Sequence, residues 1–216
     1  MPRRTGTHHR SSLKSALTIA VLAAVGALAA APAAQAGPLV ASAEGCAAPS
    51  LEQPFTPWLD TSNYFLAPNG GFENGASHWS LDGAAVVNGN EPYYVHGAGE
   101  SRSLSIPAGA AAISDTSCVG LNEPTVRLFV KSSTASLLSA LKVEALYEDA
   151  YGNVRSLEIG SISALTSTSW TPHVPMVIGA NLLPLVGDKT PVRFRFSAQG
   201  SASWQIDDVY VDPRYR

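Results

Sequence analysis

From about Asn63 onward the chain is a succession of short runs in which apolar and polar residues alternate, each cut by turn-forming residues at intervals of roughly 8 to 12 positions. Alternation with period two sends successive side chains to opposite sides of an extended backbone. A run with one apolar side is therefore a strand half-buried against a core. The pattern is cleanest where Val126, Leu128 and Val130 oppose Arg127, Phe129 and Lys131, and where Val192, Phe194 and Phe196 oppose Arg193 and Arg195. The strands predicted are Asn63–Leu66, Ser77–Leu81, Ala85–Val87, Tyr93–His96, Ser103–Ile106, Ile113–Val119, Thr125–Lys131, Leu141–Glu148, Val154–Ile159, Trp170–Ile178, Val192–Ala198 and Ser203–Val211. Asp149-Ala150-Tyr151-Gly152-Asn153 reads as the turn of a hairpin. Leu137, Leu138, Leu141 and Ala145 also fit a helical face, so one helical turn is expected before the strand at Leu141. Many short strands without an internal repeat predict an all-β fold, a single β-sandwich with jelly-roll topology.

Ahead of the strands the composition changes. Arg3, Arg4, Arg10 and Lys14 precede an uncharged apolar run, Ala16 to Ala31, that closes on Ala34-Gln35-Ala36. This charged, apolar, small-residue order is that of a secretory signal peptide, and residues 1–36 are assigned to it. The run is short for a membrane span and no later segment comes near one, so the mature chain is expected to be exported without membrane insertion. Thr5-Gly6-Thr7 lacks the apolar residues that follow a twin-arginine pair, which favours the general secretory route. Residues 37–60, rich in Ala, Pro and Ser, read as an extension whose Phe55, Trp58 and Leu59 hold its far end to the domain of residues 61–216.

Charge narrows the partners. The formal net charge is −3, and it becomes more negative when the four basic residues of the leader are removed. The remaining basic residues form no cluster, which argues against nucleic acid or an anionic membrane surface. Cys46 and Cys118 are the only cysteines. In an oxidising compartment an isolated pair is most simply one disulfide, the rival being two free thiols; without nearby histidines they make no tetrahedral metal site.

The last predicted strand makes a demand of its own. Strict alternation places Asp207 on the side of Val209 and Val211, the side expected to face the core, and a carboxylate there must be paired, hydrogen-bonded or metal-bound. Asn69-Gly70-Gly71-Phe72-Glu73 lies at the other end of the domain, and in a jelly roll the terminal strands are neighbours. Two readings stay open. A calcium ion could join Glu73, Asp207 and backbone carbonyls from Asn69 to Phe72, or Asp207 could accept N–H groups of the Asn69–Gly71 turn without metal.

The sequence N-G-G-F-E followed by Trp79, with a terminal Trp204-Gln205-Ile206-Asp207-Asp208-Val209-Tyr210-Val211, resembles the galactose-binding-like jelly rolls, in particular carbohydrate-binding modules of glycanases. With Asn90-Glu91-Pro92-Tyr93 and Tyr210-Val211-Asp212-Pro213, the whole chain is similar to a group of secreted bacterial proteins. The resemblance implies a structural calcium on Glu73 and Asp207, and it implies non-catalytic binding of a polysaccharide or cell-envelope glycan. A structural or protein-interaction sandwich without a sugar ligand is the alternative.

Sugar rings stack on exposed aromatics. Trp79 and Trp170 are expected in the core. Tyr93 and Tyr94 are adjacent, so one faces outward, and Trp204, opposite in parity to Asp207, is the candidate for an exposed stacking platform, the other reading being that it covers the second sheet under the N-terminal extension. Enzymatic readings find no support: there is no G-x-S-x-G elbow, no H-E-x-x-H and no P-loop, and His78, His96 and His173 are dispersed. Glu91, Glu100 and Asp115 suggest no glycosidase pair among so many acidic residues, and no catalytic residue is assigned.

Overall fold

The computed structural model describes Leu39, Cys46, residues 49–179 and residues 189–212; the expected signal peptide lies outside them. Among the described residues the strands are β1 (Phe65–Leu66), β2 (Trp79–Asp82), β3 (Ala85–Asn88), β4 (Arg102–Ile106), β5 (Ala111–Ser114), β6 (Ser117–Gly120), β7 (Thr125–Ser132), β8 (Ala140–Glu148), β9 (Val154–Ser163), β10 (Thr171–Pro172), β11 (Met176–Val177), β12 (Lys189–Gln199) and β13 (Trp204–Asp212). They form two antiparallel sheets. One runs β10-β7-β13-β4-β3, with β1 alongside β13 and β11 alongside β7, and the other runs β2-β5-β12-β8-β9, with β6 alongside β12. The result is a jelly-roll β-sandwich. No helix among the described residues is long and apolar enough to cross a membrane.

Alternation builds the core as expected: Val126, Leu128 and Val130 of β7 meet Val143, Phe194 and Phe196 of the opposite sheet, with Leu104, Ile106, Trp79 and Trp204 in the same cluster. Each large side chain removed from water contributes about 2 kcal/mol.

Four local expectations are corrected. Tyr93–His96 is a turn and not a strand, because the Glu91 carboxylate accepts the backbone N–H groups of both Tyr93 and Val95 and folds the segment round itself. The predicted strand Ile113–Val119 divides into β5 and β6 at Asp115, whose N–H donates to His78 O at 2.6 Å and whose side chain accepts Thr116 N–H at 2.8 Å. Trp170–Ile178 divides into β10 and β11, with Pro172 and Pro175 limiting the ladder. Leu137 and Leu138 form a turn with both side chains in solvent instead of a helical turn.

The largest correction concerns β13. Its pairing with β7 is in step from Trp204 to Asp207, then shifts, and resumes at Tyr210; Asp208 within the shift has φ 48°. One extra residue at such a bulge reverses the parity of every position beyond it. Trp204 and Ile206 before it and Val209 and Val211 after it therefore all face the core. Asp207 faces the other way, opposite Phe129. Trp204 is 1% exposed and cannot serve as a surface platform.

A second aromatic cluster lies on the outward side of the same sheet. Phe129 and Tyr210 are covered there by Phe55 and Tyr64, with Trp58 and Trp170 packed against them. Phe55 arrives on a strap that includes a single 3-10 turn, Thr56–Trp58. The strap is fastened by reciprocal backbone bonds between Glu52 and Tyr64, at 2.9 and 2.7 Å, and by an Arg127–Asp60 ion pair at 2.7 Å. Cys46 and Cys118 form a disulfide that ties the extension to β6.

Candidate functional site

Two sites meet at the middle of β13. Behind the bulge lies a pocket of acidic side chains. Loop residues Glu91 and Glu100 and strand residues Asp207 and Asp208 are all buried, and Glu91, Glu100 and Asp208 each bring a carboxylate oxygen within 4.8 Å of the other two. The Asn69-Gly70-Gly71 loop closes the pocket. A Cβ on Gly70 would stand 2.8 Å from Val209 O, and one on Gly71 would stand 3.0 Å from Glu100 Oε1 and 3.1 Å from Asp208 Oδ1. The two glycines thus let the loop lie against the backbone of β13 and against the carboxylates. Ala67 N–H donating to Val209 O at 2.8 Å and Val209 N–H donating to Gly70 O at 3.2 Å fix that approach.

The electrostatics of the pocket are unbalanced. Asp207 accepts the N–H groups of Glu91 and Asp208, both at 3.0 Å, yet burial, reinforced by the Glu100 and Glu91 charges, pushes its pKa up to about 8. Burial and then the charges of Asp207, Glu100, Glu91 and Glu52 push Asp208 up to about 10. Burial raises Glu100 as well. Both Asp208 oxygens and Glu100 Oε1 are buried without a hydrogen-bond partner. Buried acceptors that lack donors and face one another are the donor set of a hard cation, which takes six to eight oxygen ligands.

The sequence reading placed this chemistry one step away. The carboxylate of Glu73 is engaged elsewhere, accepting Ser101 N–H at 2.7 Å and Arg102 N–H at 2.8 Å. The Asn69 side chain bridges Gly75 O, Ser77 O and Asn74 N–H, and its backbone carbonyl accepts the Trp79 indole N–H at 3.1 Å. Asp207 lies beside the pocket, with its oxygens on the N–H groups of Glu91 and Asp208 instead of those of the Asn69–Gly71 turn. Glu91, Glu100 and Asp208 are the residues sequence reasoning missed. The doubled Asp207-Asp208 was the available signal, since no regular strand buries two adjacent carboxylates on opposite faces.

The second site is the outward face itself. Cross-strand pairing sets Lys131 of β7 beside Gln205 of β13, Gln205 beside Ser105 of β4, and Ser105 beside Ala85 of β3. The row crosses four strands, a span of about 14 Å at the usual inter-strand spacing. Lys131, Gln205 and Ser105, with Ser133 and Ser203, line a groove of about 280 Å³. Aromatic rings stand at its end. Lys131 Nζ lies 5.0 Å from the centre of the part-exposed Trp170 ring. The Tyr93 hydroxyl donates to Trp170 O at 3.3 Å, and its ring packs on Trp58 and Phe129 at 4.9 and 5.6 Å. Tyr93 and Tyr94 are 47% and 49% exposed, so both reach solvent where one was expected to. Trp170, assigned to the core from sequence, takes the surface position assigned to Trp204.

No family model and no curated protein matches the chain. Solved structures that resemble it include carbohydrate-binding modules, a candidate sugar-binding protein and parts of larger glycoside hydrolases. The candidate sugar-binding protein, from Bacteroides thetaiotaomicron, is 10% identical with a TM-score of 0.48, covering 68% of this chain and 99% of its own. The CBM22-1 xylan-binding domain of Paenibacillus barcinonensis Xyn10C is 16% identical with a TM-score of 0.44, covering 68% and 93%. A family 61 module solved with β-1,4-galactotriose is 17% identical with a TM-score of 0.39, covering 68% and 97%.

Proposed function

We propose that the protein is a secreted, non-catalytic glycan-binding module whose binding surface is the outward face of β7, β13 and β4. The observation that carries this reading is the row Lys131, Gln205 and Ser105 beside the part-exposed rings of Trp170 and Tyr93. An aromatic face takes the C–H side of a pyranose while amide, ammonium and hydroxyl groups meet its hydroxyls. One stacked ring contributes of order 1 kcal/mol, so affinity in the micromolar to millimolar range is expected, stronger for polysaccharide than for monosaccharide.

A structural calcium belongs to the same reading. Glu91, Glu100 and Asp208 would hold it, and its charge would relieve the repulsion and desolvation in the pocket behind β13. The adjacent exposed leucines 137 and 138 favour the alternative, a protein-interaction module. Pull-down on cellulose, xylan, chitin and peptidoglycan separates the two. Wild type should bind at least one glycan, and Trp170→Ala and Gln205→Ala should each weaken that binding about tenfold without lowering the melting temperature in step. Binding to none of them, or binding indifferent to both substitutions, would overturn the assignment and leave the interaction module.

A further inference from the structure

The opposite sheet carries a groove of its own. Period-two alternation and register put Ser80, Ile113, Arg195 and Glu144 in one row across β2, β5, β12 and β8, and Asp82, Ala111, Ser197 and Lys142 in the next. These residues line a groove of about 330 Å³. Polar residues on an outward sheet face are ordinary, but this set is organised. Glu144 points outward and is nonetheless only 5% exposed. Arg195 forks onto both its oxygens, Nε to Oε2 and Nη2 to Oε1 at 2.8 Å each, and Lys142 Nζ adds a contact of 3.2 Å. The Arg195 hydrogen bonds and charge, with Lys142 behind them, hold the Glu144 carboxyl below its usual range against the effect of burial. A forked guanidinium and a carboxylate locked together keep fixed directions, and the guanidinium retains N–H groups beyond the two engaged.

Charge selects the ligand. The groove has two cations, Arg195 and Lys142, and two anions, Glu144 and Asp82, so it offers no net charge to a phosphate, a nucleic acid or an acidic peptide. It offers donors and acceptors side by side, the Ser80 and Ser197 hydroxyls, and an apolar floor from Ile113 and Ala111. That combination is complementary to a neutral polyhydroxylated chain.

We propose that this groove is a second glycan-binding site, specific for neutral polysaccharide, and that the module holds two glycan chains at once, one on each outer face of the sandwich. The inference rests on the glycan-binding reading of the first face. The two sheets pack core to core, so their outer faces look in opposite directions and a single straight chain cannot occupy both.

The test counts sites and measures bridging. Calorimetry uses the neutral probes xylohexaose, cellohexaose and β-1,4-galactotetraose. The bridging assay measures capture of labelled soluble arabinoxylan or β-1,4-galactan by the same polysaccharide immobilised, with the protein confirmed monomeric by light scattering. Wild type should take two equivalents of a bound oligosaccharide and bridge. A groove-blocking pair, Ser80→Ile with Asp82→Ala, leaves the Arg195–Glu144–Lys142 triad intact, and should retain one equivalent while losing bridging at least tenfold. Trp170→Ala with Gln205→Ala should do the same from the other face. If the first-face pair abolishes all binding and the groove-blocking pair changes nothing, the second site is overturned and the first stands. If the groove-blocking pair alone abolishes binding, the first face is the one that fails. A wild type that binds no probe overturns both.

Discussion

Asp208 sits where the backbone turns left-handed, and it is there that a regular strand gives way to a chemical site. Its carboxylate and that of Asp207 keep their protons in the folded protein at pH values where the unfolded chain has released them. Raised folded pKa values mean stability that is complete below about pH 4 and is lost progressively above it, up to about pH 8 for Asp207 and about pH 10 for Asp208, at up to about 1.4 kcal/mol per pH unit for each group. Urea melts of chelator-treated protein should therefore show this pocket contributing a loss of stability between pH 5 and 8. Asp208→Asn should flatten that loss, and millimolar calcium should reverse it for wild type but not for the variant. Equal melts with chelator and with calcium at pH 8 would leave the pocket without an ion. Trp204 tests the parity argument at the same scale. Buried to 1% exposure, it should cost about 3–5 kcal/mol on truncation to alanine, read as a lowered urea midpoint; an exposed stacking residue would cost little.

Among the elements, the strap of residues 49–60 has the most to show. Phe55 is fully buried on the outer sheet face, stacked on Phe129 at 5.6 Å and lying under the Arg127 guanidinium at 3.9 Å. Yet the strap lies over the sheet and joins it through an isolated Glu52–Tyr64 bridge and not a strand ladder, so it can come away while both sheets persist. Phe55→Ala should accelerate hydrogen exchange at Tyr64 and in the strap by more than an order of magnitude and leave the amides of β8 and β12 unchanged. A uniform acceleration through both sheets would show instead that the strap is integral to the core. The strands themselves were largely legible, because Val126–Val130 and Val192–Phe196 bury one side against a continuous core and alternation records that directly. The acid pocket was not legible, because the bulge at Asp208 leaves no trace in alternation: the parity argument was sound on each side of it and wrong across it. Glu91 was unreadable for a related reason. A carboxylate that collects the backbone N–H groups of its own loop turns Tyr93–His96, a good strand by composition, into a turn.

For the whole molecule, the arrangement separates an apolar interior from polar outer faces. The core between the sheets is apolar, and the buried Asp208 and Glu100 oxygens that lack a partner are gathered in the pocket behind β13. The two outer faces carry the polar rows, one with aromatic rings and one with the Arg195–Glu144–Lys142 triad. Under the proposed function, the net negative charge disfavours polyanions, and binding of a neutral glycan should be insensitive to salt. The position of β13 reaches further. The last strand described lies in the interior of its sheet, with β7 on one side and β4 and β1 on the other, and β1 is about as remote from it in sequence as the domain allows. Neither its sheet nor the pocket behind the bulge can close until residues 204–212 have emerged and threaded between strands that precede them. Such long-range pairings are the slow step of β-sandwich folding, and here they wait for nearly the whole domain to be made. A chain built this way keeps its apolar strand faces unpaired through most of its synthesis, and the residues that end that exposure are among the last to be made.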